Sequence, residues 1–539
     1  MSLKLRLVLA VFILTCCSLS QGSPHRLIRS KSSRAQEVPL KLNSDPRHWT
    51  TIARQDLKTA TEVFNQRTDY RAKNAILFLG DGMGITSVTA GRILKGQLDG
   101  KSGEEATLEF EKFPHTGLSK TYNTDMQTPD SAGTATAYLC GVKAKFGTMG
   151  MNELVTTSNC TSQLKERYVN SFLTEAQQLG KSVGIVTTTR ITHATPGAAY
   201  SHTSSRNWED DTDRNEDVED ESVRWMCPDI AQQLVDNAIN FTVIFGGGRL
   251  KFLPNTETTF DQIKEKLVKG SRSGSENLVE RWKKLQAGFG RRAIYIETKE
   301  ELRNTKFDSN AMYLGLFATK HLQFDVDNQK DQKEPTIEEM TRKAIEILSQ
   351  NPKGFALLVE GGRIDHGHHD NLAKKSMHDL VAFDKAIKVA GQLTNSNDTL
   401  TVVTADHSHV FAIGGYGRRG QPLFGKVTYS KNDKYNNKGE ALADDKLPYT
   451  PLYYGDGPSG VKKGRRENVT DVDTDNPEYL TQSLIRQSSE SHGAEDVPIY
   501  ARGPGSHLFH TTHEQPYIAH VIKYSLCVGA YAEENFCLN

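Results

Sequence analysis

The sequence predicts an α/β fold in which a doubly wound, mostly parallel sheet lies between layers of helices. Short apolar runs alternate with stretches of helical spacing and span 75–79, 182–187, 242–245, 355–359, 400–403 and 497–500. Runs that are apolar on both faces are typical of parallel strands covered by helices. Polar residues of metal-ligand type follow several runs, and ligands of such sheets collect beyond the carboxyl ends of the strands.

The N-terminal residues are typical of a signal peptide. Lys4 and Arg6 precede an apolar stretch at 7–19, and small residues around 18–23 suit cleavage. A retained signal anchor is the alternative, but the stretch is shorter than the about 20 residues that a membrane span needs. We expect a leader at 1–22 and a flexible segment at 23–43.

The rest of the chain, 44–539, is expected to form one large domain. Ser44-Asp45-Pro46 is a helix-start pattern, and apolar residues then recur at helical spacing, which predicts a helix over 46–64. The segment 411–490 is rich in Gly, Lys, Asn and Asp and has weak periodicity. We expect it to be an inserted, loop-rich subdomain and call it the insertion. The acidic run 209–221 predicts a solvated loop.

Composition narrows the class of protein. Lys plus Arg and Asp plus Glu both total 66 of 539 residues, so the formal net charge is zero. This balance argues against a nucleic-acid-binding protein, which usually has a basic excess. The C-terminal residues 533–539 carry no apolar tail of the kind that precedes a glycolipid anchor. We therefore expect a soluble, extracellular product.

Cysteines and sequons fit secretion. The cysteines outside the leader are Cys140, Cys160, Cys227, Cys527 and Cys537, an odd number that leaves one thiol unpaired. Cys140 lies in an apolar run, which favours a buried, inert thiol. Cys527 and Cys537 can close a small loop and leave Cys160 with Cys227, although the sequence does not fix this pairing. N-glycosylation patterns begin at Asn159, Asn240, Asn397 and Asn468.

Two strand ends carry residues that suit cations. Asp81 follows the first apolar run between glycines, which would let a carboxylate approach a metal closely; Asp-Gly is also a common turn. The stretch 360–369 holds three imidazoles and two carboxylates, and Asp365 and His369 are one helical turn apart. Zinc prefers His nitrogen with carboxylate oxygen, whereas magnesium prefers oxygen. This stretch is the strongest metal-site signal in the sequence.

A second Asp-His pair, Asp406-His407, follows the fifth run, while His193 and Thr195 follow the second. Ser131 stands where a helix could begin, and helix N-termini favour anions. A serine hydroxyl needs a base or a metal to become a nucleophile, and no Gly-x-Ser-x-Gly pattern is present, so metal activation is favoured. The guanidinium of Arg206 matches two phosphate oxygens. His492 is a further, weaker ligand candidate. Together these residues indicate a two-metal hydrolase acting on a phosphate or related ester.

Four long strings, at 78–84, 129–136, 359–369 and 404–408, resemble the signature strings of animal alkaline phosphatases, and the resemblance extends from about residue 49 to 537. It implies hydrolysis of phosphate monoesters at alkaline pH, with a broad substrate range and a phosphoserine intermediate on Ser131, and it implies that Arg206 clamps the phosphate. Its metals would be two zinc ions and one magnesium ion per subunit.

The same resemblance implies a ligand set. The first zinc would be held by Asp365, His369 and His492, the second by Asp81, Asp406, His407 and Ser131, and the magnesium by Asp81, Thr195 and Glu360, with His193 and His366 in an outer shell. It also implies disulfides Cys160–Cys227 and Cys527–Cys537, a homodimer in which the N-terminal helix reaches the partner, and a crown formed by the insertion. Members usually add a calcium site through a Phe-Glu pair; Phe317-Ala318 lacks that carboxylate, so we do not expect calcium.

Two other function classes remain to be distinguished. The first is another enzyme of the same superfamily, such as a phosphodiesterase or a sulfatase. The sulfatase nucleophile pattern is absent, and Arg206 together with Ser131 favours monoesters. The second is a catalytically silent extracellular binding protein on the same scaffold. Such a protein would be expected to lack ligands or the nucleophile, whereas every expected one is present here.

Overall fold

The structure is a computed structural model that describes residues 47–63, 71–428, 434–462 and 464–538. The expected leader and flexible segment, and residues 46 and 64 of the expected N-terminal helix, lie outside these ranges. The α-helices are α1 Arg47–Val63, α2 Ile85–Leu98, α3 Ser131–Ala135, α4 Phe172–Gln178, α5 Ala194–Ala198, α6 Asp211–Asp217, α7 Ile230–Asn237, α8 Leu278–Gly288, α9 Lys299–Asn304, α10 Asp325–Asp331, α11 Ile337–Leu348, α12 Arg363–His369, α13 Ala373–Leu393, α14 Pro516–Leu526 and α15 Asn535–Leu538.

The strands are β1 Asn74–Gly80, β2 His115–Lys120, β3 Ser182–Arg190, β4 Val243–Gly247, β5 Thr258–Asp261, β6 Lys266–Lys269, β7 Arg292–Ile296, β8 Ala311–Leu316, β9 Phe355–Gly361, β10 Thr399–Ala405, β11 Ser408–His409, β12 Phe411–Ile413, β13 Lys434–Tyr435, β14 Ala441–Leu442, β15 Leu452–Gly457, β16 Ser483–Arg486, β17 His492–Gly493, β18 Val497–Arg502 and β19 Thr512–Glu514. The described residues form one large sheet in the order β19-β2-β18-β10-β1-β9-β3-β4-β8-β7.

The predicted α/β sheet is confirmed, because seven successive strands of the sheet run parallel to one another: β10, β1, β9, β3, β4, β8 and β7. The six predicted runs correspond to β1, β3, β4, β9, β10 and β18. The last of these, β18, pairs antiparallel with β10 and with β2. The structure therefore makes the sheet mixed at this edge, a direction that apolar patterning alone does not specify.

Side chains of the central strands alternate between two cores. On β1, Ala75, Leu77 and Leu79 belong to one buried apolar cluster, whereas Ile76 and Phe78 belong to another. Because successive side chains of a strand point to opposite faces, the sheet has a core on each side. Helices α11 and α13 supply apolar residues to one core and α14 to the other. This burial fixes the strand register and hence the positions of the residues at the strand ends.

The insertion contains two small sheets, β12-β15-β16 and β13-β14, among loops. The acidic run 209–221 differs from the expected solvated loop. Glu209, Asp210 and Asp211 are buried. Glu209 forms an ion pair with Arg190, and Asp210 caps α6 by accepting from the Asp213 amide. The pattern of charges in the sequence did not predict this burial, because each carboxylate pairs with a group from another part of the chain or from the helix end.

The cysteines pair as the resemblance implies. Disulfides join Cys160 to Cys227 and Cys527 to Cys537, and Cys140 is a buried free thiol. Burial raises the pKa of Cys140 to about 12, which keeps it protonated and unreactive. The four sequon asparagines are exposed. Among the helices that the structure describes, none combines the length and apolar character needed to cross a bilayer.

Candidate metal centre and nucleophile

Three carboxylates meet at one edge of the sheet because three neighbouring parallel strands end there. In the strand register, Gly80 of β1 lies beside both Gly361 of β9 and Ala405 of β10. Asp81 and Asp406 follow β1 and β10 directly, and Glu360 is the penultimate residue of β9. The register of the parallel strands therefore places these acidic residues at the carboxyl ends of the strands, as predicted.

Glycine is required beside Asp81. Gly82 has φ of +67°, and a Cβ at this position would lie 2.2 Å from Nε2 of His409. Its amide donates to Oδ1 of Asp406 at 2.9 Å. The turn therefore brings the Asp81 and Asp406 loops together with no room for a side chain, which explains the glycines that flank Asp81 in the sequence.

Asp81, Asp406 and His407 form a first cluster around Ser131. The Nε2 atom of His407 lies 3.1 Å from Oδ2 of Asp406 and 3.6 Å from Oδ1 of Asp81. The Ser131 hydroxyl lies 3.1 Å from the same nitrogen and 3.4 Å from Oδ1 of Asp81. His407 donates its Nδ1 proton to the carbonyl of Ser408 at 3.1 Å, so its Nε2 lone pair faces the cluster.

Asp365, His369 and His492 form a second cluster. Oδ1 of Asp365 lies 3.4 Å from Nε2 of His369 and 3.5 Å from Nε2 of His492. Each imidazole donates its Nδ1 proton to a backbone carbonyl, His369 to Glu490 at 2.6 Å and His492 to Pro129 at 2.7 Å. Backbone contacts of this kind orient metal-binding histidines in proteins.

A third cluster joins Asp81, His193 and Glu360, whose ligand atoms lie within 4.8 Å of one another. Glu360 accepts hydrogen bonds from the hydroxyls of Thr187 and Thr189 of β3, the latter at 3.2 Å. Thr195, on α5, contacts Tyr138 through its hydroxyl at 3.0 Å and also lowers the pKa of Glu360 by hydrogen bonding. The surroundings of Glu360 are therefore rich in oxygen atoms, the ligands that magnesium prefers.

The first and third clusters fit cations because they contain buried carboxylate oxygens that have no other partner. Among the described residues, Oδ2 of Asp81, Oε1 of Glu360 and Oδ2 of Asp406 are buried and accept no hydrogen bond. Burial, and then the nearby carboxylates of Asp365, Asp406 and Glu360, raise the pKa of Asp81 well above its usual value. Burial likewise raises the pKa of Glu360 to about 7. Carboxylates gathered this closely require compensating positive charge to remain ionised.

Ser131 begins α3, and Asp130 caps that helix. The Asp130 carboxylate accepts from the amides of Ala132 at 3.2 Å and Gly133 at 3.1 Å. Nη1 of Arg206 donates to the same carboxylate at 3.1 Å, and Nη2 lies 3.3 Å from Nε2 of His193. The guanidinium is therefore held beside the nucleophile candidate, where its remaining donors can face an anion.

The expected outer-shell residues also lie together. The rings of His193 and His366 are 5.3 Å apart, and His321, which sequence reasoning missed, lies 4.3 Å from His366. Burial lowers the pKa of all three well below the usual value, so they are neutral imidazoles. Nη1 of Arg363 contacts Nδ1 of His366 at 2.8 Å.

Sequence reasoning also missed His409 and Glu490. His409 lies between Oε2 of Glu490 at 2.5 Å and Oδ1 of Asp365 at 2.9 Å. Burial alone would lower the pKa of His409, but Glu490 and Asp365 raise it to about 10. Both ring nitrogens are then donors, so His409 orients Asp365 and has no lone pair for a cation. The string Asp406-His407-Ser408-His409 places a second histidine two residues after His407, which offered a sequence signal for His409. No sequence signal marked Glu490.

Position 318, where the resemblance would place a calcium ligand, carries no carboxylate. Ala318 is buried and, with Asp261 and Glu334, lines a cavity of about 220 Å³. The Asp261 carboxylate accepts from the amides of Ile263 and Lys264 and from the Thr319 hydroxyl, and it pairs with Lys264 at 3.3 Å. The Phe317-Ala318 pair therefore offers no side-chain oxygen to a cation.

Comparison with known proteins identifies one family. The family profile described as alkaline phosphatase matches residues 72–528. The chain is 46% identical over 496 residues to the tissue-nonspecific isozyme of alkaline phosphatase from Homo sapiens, covering 92% of this chain and 90% of that protein. It is 45% identical over 489 residues to an alkaline phosphatase from Gadus morhua, covering 90% and 98%.

Solved structures agree on the fold. The alkaline phosphatase of Thermus thermophilus aligns with a TM-score of 0.58 at 21% identity, covering 85% of this chain and 92% of that chain. The alkaline phosphatase from the Antarctic bacterium TAB5 aligns with a TM-score of 0.56 at 21% identity, covering 85% and 99%. At this identity the likeness concerns the architecture alone.

Proposed function

The chain belongs to the alkaline phosphatase family and hydrolyses phosphate monoesters, and from that premise we propose that Ser131 is the nucleophile that becomes phosphorylated. One observation carries the proposal. The Ser131 hydroxyl lies 3.1 Å from Nε2 of His407 and 3.4 Å from Oδ1 of Asp81, at the centre of buried carboxylates and imidazoles. No general base in the usual sense is needed there, because a cation held by these atoms would favour the alkoxide.

The residues fall into three candidate sites. Asp365, His369 and His492 would hold one zinc ion, and Asp81, Asp406, His407 and Ser131 a second. Asp81, Thr195 and Glu360 would hold magnesium, with His193 and His366 beside it. When bound, such ions supply charge neutralisation and lower the pKa of a coordinated hydroxyl or water. The donor types support this division, since each zinc site includes imidazole nitrogen, whereas the three magnesium ligands offer oxygen alone.

The chain's own residues then account for the chemistry in two displacements. Ser131 Oγ gives up its proton to solvent and bonds to phosphorus as the bond from phosphorus to the ester oxygen breaks; that oxygen takes up a proton, so the alcohol is released and phosphoserine remains. A water oxygen, losing a proton, next attacks phosphorus from the vacated side as the Oγ–P bond breaks; Ser131 Oγ regains a proton and inorganic phosphate is released. Arg206 and the amides at the start of α3 face the charge on the phosphoryl oxygens, where electrostatic stabilisation dominates such catalysis.

Asp130 would act as a positioning residue in this scheme. Its carboxylate caps the helix that starts at Ser131 and also accepts from Arg206. One side chain therefore sets the relative positions of the nucleophile and the phosphate clamp. The guanidinium of Arg206 matches two non-bridging oxygens of a phosphate, and the preference for monoesters follows from the family to which the chain belongs.

Assembly and location are part of the proposal. The leader pattern, the exposed sequons and the two disulfides support a secreted, glycosylated protein, since disulfides persist in oxidising compartments. We expect a homodimer, as the family resemblance implies. Light scattering of the purified, secreted protein measures this directly, and the mass of a single chain without glycans, which is 60.0 kDa with the leader and less after its removal, would contradict it.

Trapping the covalent intermediate tests the nucleophile. The enzyme is mixed with a phosphate monoester, quenched in acid, digested and analysed by mass spectrometry. We expect one phosphate on the peptide that contains Ser131, and none in Ser131→Ala, whose turnover should fall by several orders of magnitude. Phosphorylation of another residue, or activity that survives Ser131→Ala, would contradict the proposal. A parallel comparison with a diester and a sulfate ester tests the substrate class.

A further inference from the structure

The opposite edge of the sheet, where the parallel strands begin, carries a row of cations. Lys73 precedes β1, Lys181 precedes β3, and Lys353 lies two residues before β9. In the sheet these three strands are adjacent, in the order β1-β9-β3. Neighbouring strands are about 4.8 Å apart, so the three lysines start from backbone positions that span about 10 Å.

These lysines line a cavity of about 590 Å³, together with Arg71. Arg71, Lys73 and Lys353 are exposed, and Lys181 is half-buried. Nζ of Lys181 donates to the carbonyls of Lys73 and Lys353, both at 2.8 Å, which holds this ammonium between the other two lysines. The positive charges are thus arranged by backbone contacts rather than scattered over the surface.

Negative charge does not balance this row. Asp398 is the acidic residue in the lining, and its Oδ1 accepts from the Thr399 hydroxyl. Across the described ranges, no carboxylate forms an ion pair with any of the four cations. Burial, and then the charges of Arg71 and Lys73, lower the pKa of Lys181 to about 8. Burial is the larger cause of this lowered pKa and the unneutralised cations add to it, and a bound anion would raise the pKa again.

The rest of the lining is apolar. Leu179, Pro352, Leu526 and Ala532 contribute to the wall, with the Cys527–Cys537 disulfide beside them. An inorganic anion gains nothing from such a surface, whereas sugar rings have apolar faces that pack on it. A row of cations next to an apolar wall therefore matches a linear carbohydrate that carries repeated negative groups.

We propose that this cavity, which we call the basal cavity, binds a sulfated glycan chain at the edge of the sheet opposite the metal centre. Its sulfate groups would contact Arg71, Lys73, Lys181 and Lys353 in succession, and its rings would pack against the apolar wall. The site is separate from Ser131 and Arg206, so this inference does not depend on the proposed catalytic roles.

Binding of a fluorescent heparin-derived hexasaccharide to the full chain tests the proposal. N-glycans are first removed, because Asn397 is adjacent to Asp398 and a glycan there could cover the basal cavity. The double variant Lys73→Gln/Lys353→Gln should raise Kd about 30-fold at physiological salt, at roughly a factor of five for each cation removed from an anionic surface. Arg71→Gln/Lys73→Gln is a second double variant in which both replaced side chains are exposed. It should raise Kd by about the same factor.

The matched control is Lys101→Gln/Lys284→Gln, which removes the same charge from exposed sites elsewhere. It should leave Kd unchanged, and all three variants should hydrolyse a chromogenic phosphate monoester at the wild-type rate. Equal loss in the control would show that net charge alone attracts the glycan and would overturn the proposal. Unchanged binding in both basal variants would overturn it too. Inorganic tripolyphosphate is also tested as a competitor of the glycan on the Ser131→Ala variant. If it displaces the glycan at the same concentration of negative charge, the apolar wall contributes nothing to binding and the glycan assignment is wrong.

Discussion

Nε2 of His492 lies 3.1 Å from Nε2 of His369, although 123 residues separate them in the sequence. Both rings donate their Nδ1 protons to backbone carbonyls, so in the neutral rings both Nε2 atoms are acceptors. Two lone pairs this close repel each other unless a proton or a cation lies between them. Asp365 completes the triangle with a carboxylate oxygen 3.4 Å and 3.5 Å from the two nitrogens.

Removing metal should therefore destabilise the folded protein. Chelation leaves buried carboxylates and facing lone pairs without their counter-charge. At free metal a thousandfold above Kd, a bound ion contributes about 4 kcal/mol to the free energy of unfolding. We expect urea unfolding of the chelated protein to lose at least that amount, and added zinc with magnesium to restore it. Equal stability with and without chelation would contradict the metal assignment.

The contribution of Glu360 to the stability of the metal-free protein should fall as pH rises from about 4.5 to 7. Burial raises the folded pKa of Glu360 to about 7, so the folded state retains a proton that the unfolded state releases near pH 4.5. Stability from this group is complete below the unfolded pKa and is lost as pH rises through the folded pKa. The loss is of the order of 3 kcal/mol, at about 1.4 kcal/mol for each pKa unit.

Glu360→Gln supplies the control for that pH effect, because the amide resembles the protonated carboxyl and does not titrate. Urea unfolding of both metal-free proteins at pH 5 and pH 7.5 makes the comparison. We expect the wild type to lose more stability than the variant between the two pH values. Parallel behaviour of the two proteins would exclude Glu360 as the source.

Arg206 should matter for catalysis through its contact with the phosphate. Its guanidinium is held by Asp130 and lies beside His193 with donors to spare. Arg206→Ala should lower kcat/KM for a phosphate monoester about 100-fold, the usual cost of removing a preorganised donor to developing charge. Arg206→Lys should recover only part of it, because an ammonium lacks the fork of the guanidinium. Arg281→Ala, which removes a surface ion pair with Asp236, is the matched control and should leave kcat/KM unchanged.

The insertion should support the metal centre through Tyr454. The Tyr454 hydroxyl contacts Nδ1 of His368 at 2.8 Å, and the Ser87 hydroxyl contacts its Nε2 at 2.9 Å. His368 precedes His369 in α12, so Tyr454→Phe leaves a buried ring nitrogen unsatisfied next to a proposed ligand. We expect a loss of about 1–3 kcal/mol in stability and roughly tenfold weaker zinc binding.

Tyr453→Phe provides the comparison, because Tyr453 is adjacent on the same strand and is exposed. Competitive chelator titration of both variants measures zinc affinity. A difference between the two variants would assign the effect to the His368 contact. The same affinity in both would mean that the contact between Tyr454 and His368 does not influence the zinc site.

Much of the fold followed from local patterning, because central strands are buried on both faces and are read as continuous apolar runs. β1, β3, β4, β9 and β10 were predicted for that reason. Strands at or next to the edges have no such signal: the edge strand β7 has exposed and half-buried residues and begins with Arg292, and β2, the second strand from the other edge, alternates between buried and exposed residues. The antiparallel direction of β18 was also not predictable, since side-chain patterns are the same for both directions.

The candidate site was predictable where residues follow strand ends, as with Asp81 and Asp406, or cluster in sequence, as in 360–369. His492 was chosen only through the family resemblance, because nothing around it marks a ligand. Glu490 and Tyr454 escaped prediction because they act on the centre only through contacts between residues that are distant in the sequence. Contacts of that kind depend on how the insertion packs on α12, which no local pattern encodes.

The most direct test of the metal centre is anomalous X-ray diffraction from crystals of the purified enzyme, recorded on both sides of the zinc absorption edge. We expect two zinc peaks per subunit, one among Asp365, His369 and His492 and the other among Asp81, Asp406, His407 and Ser131. A third position near Glu360 and Thr195 should hold density without a zinc signal. Zinc peaks away from these side chains, or no peak beside Ser131, would contradict the account.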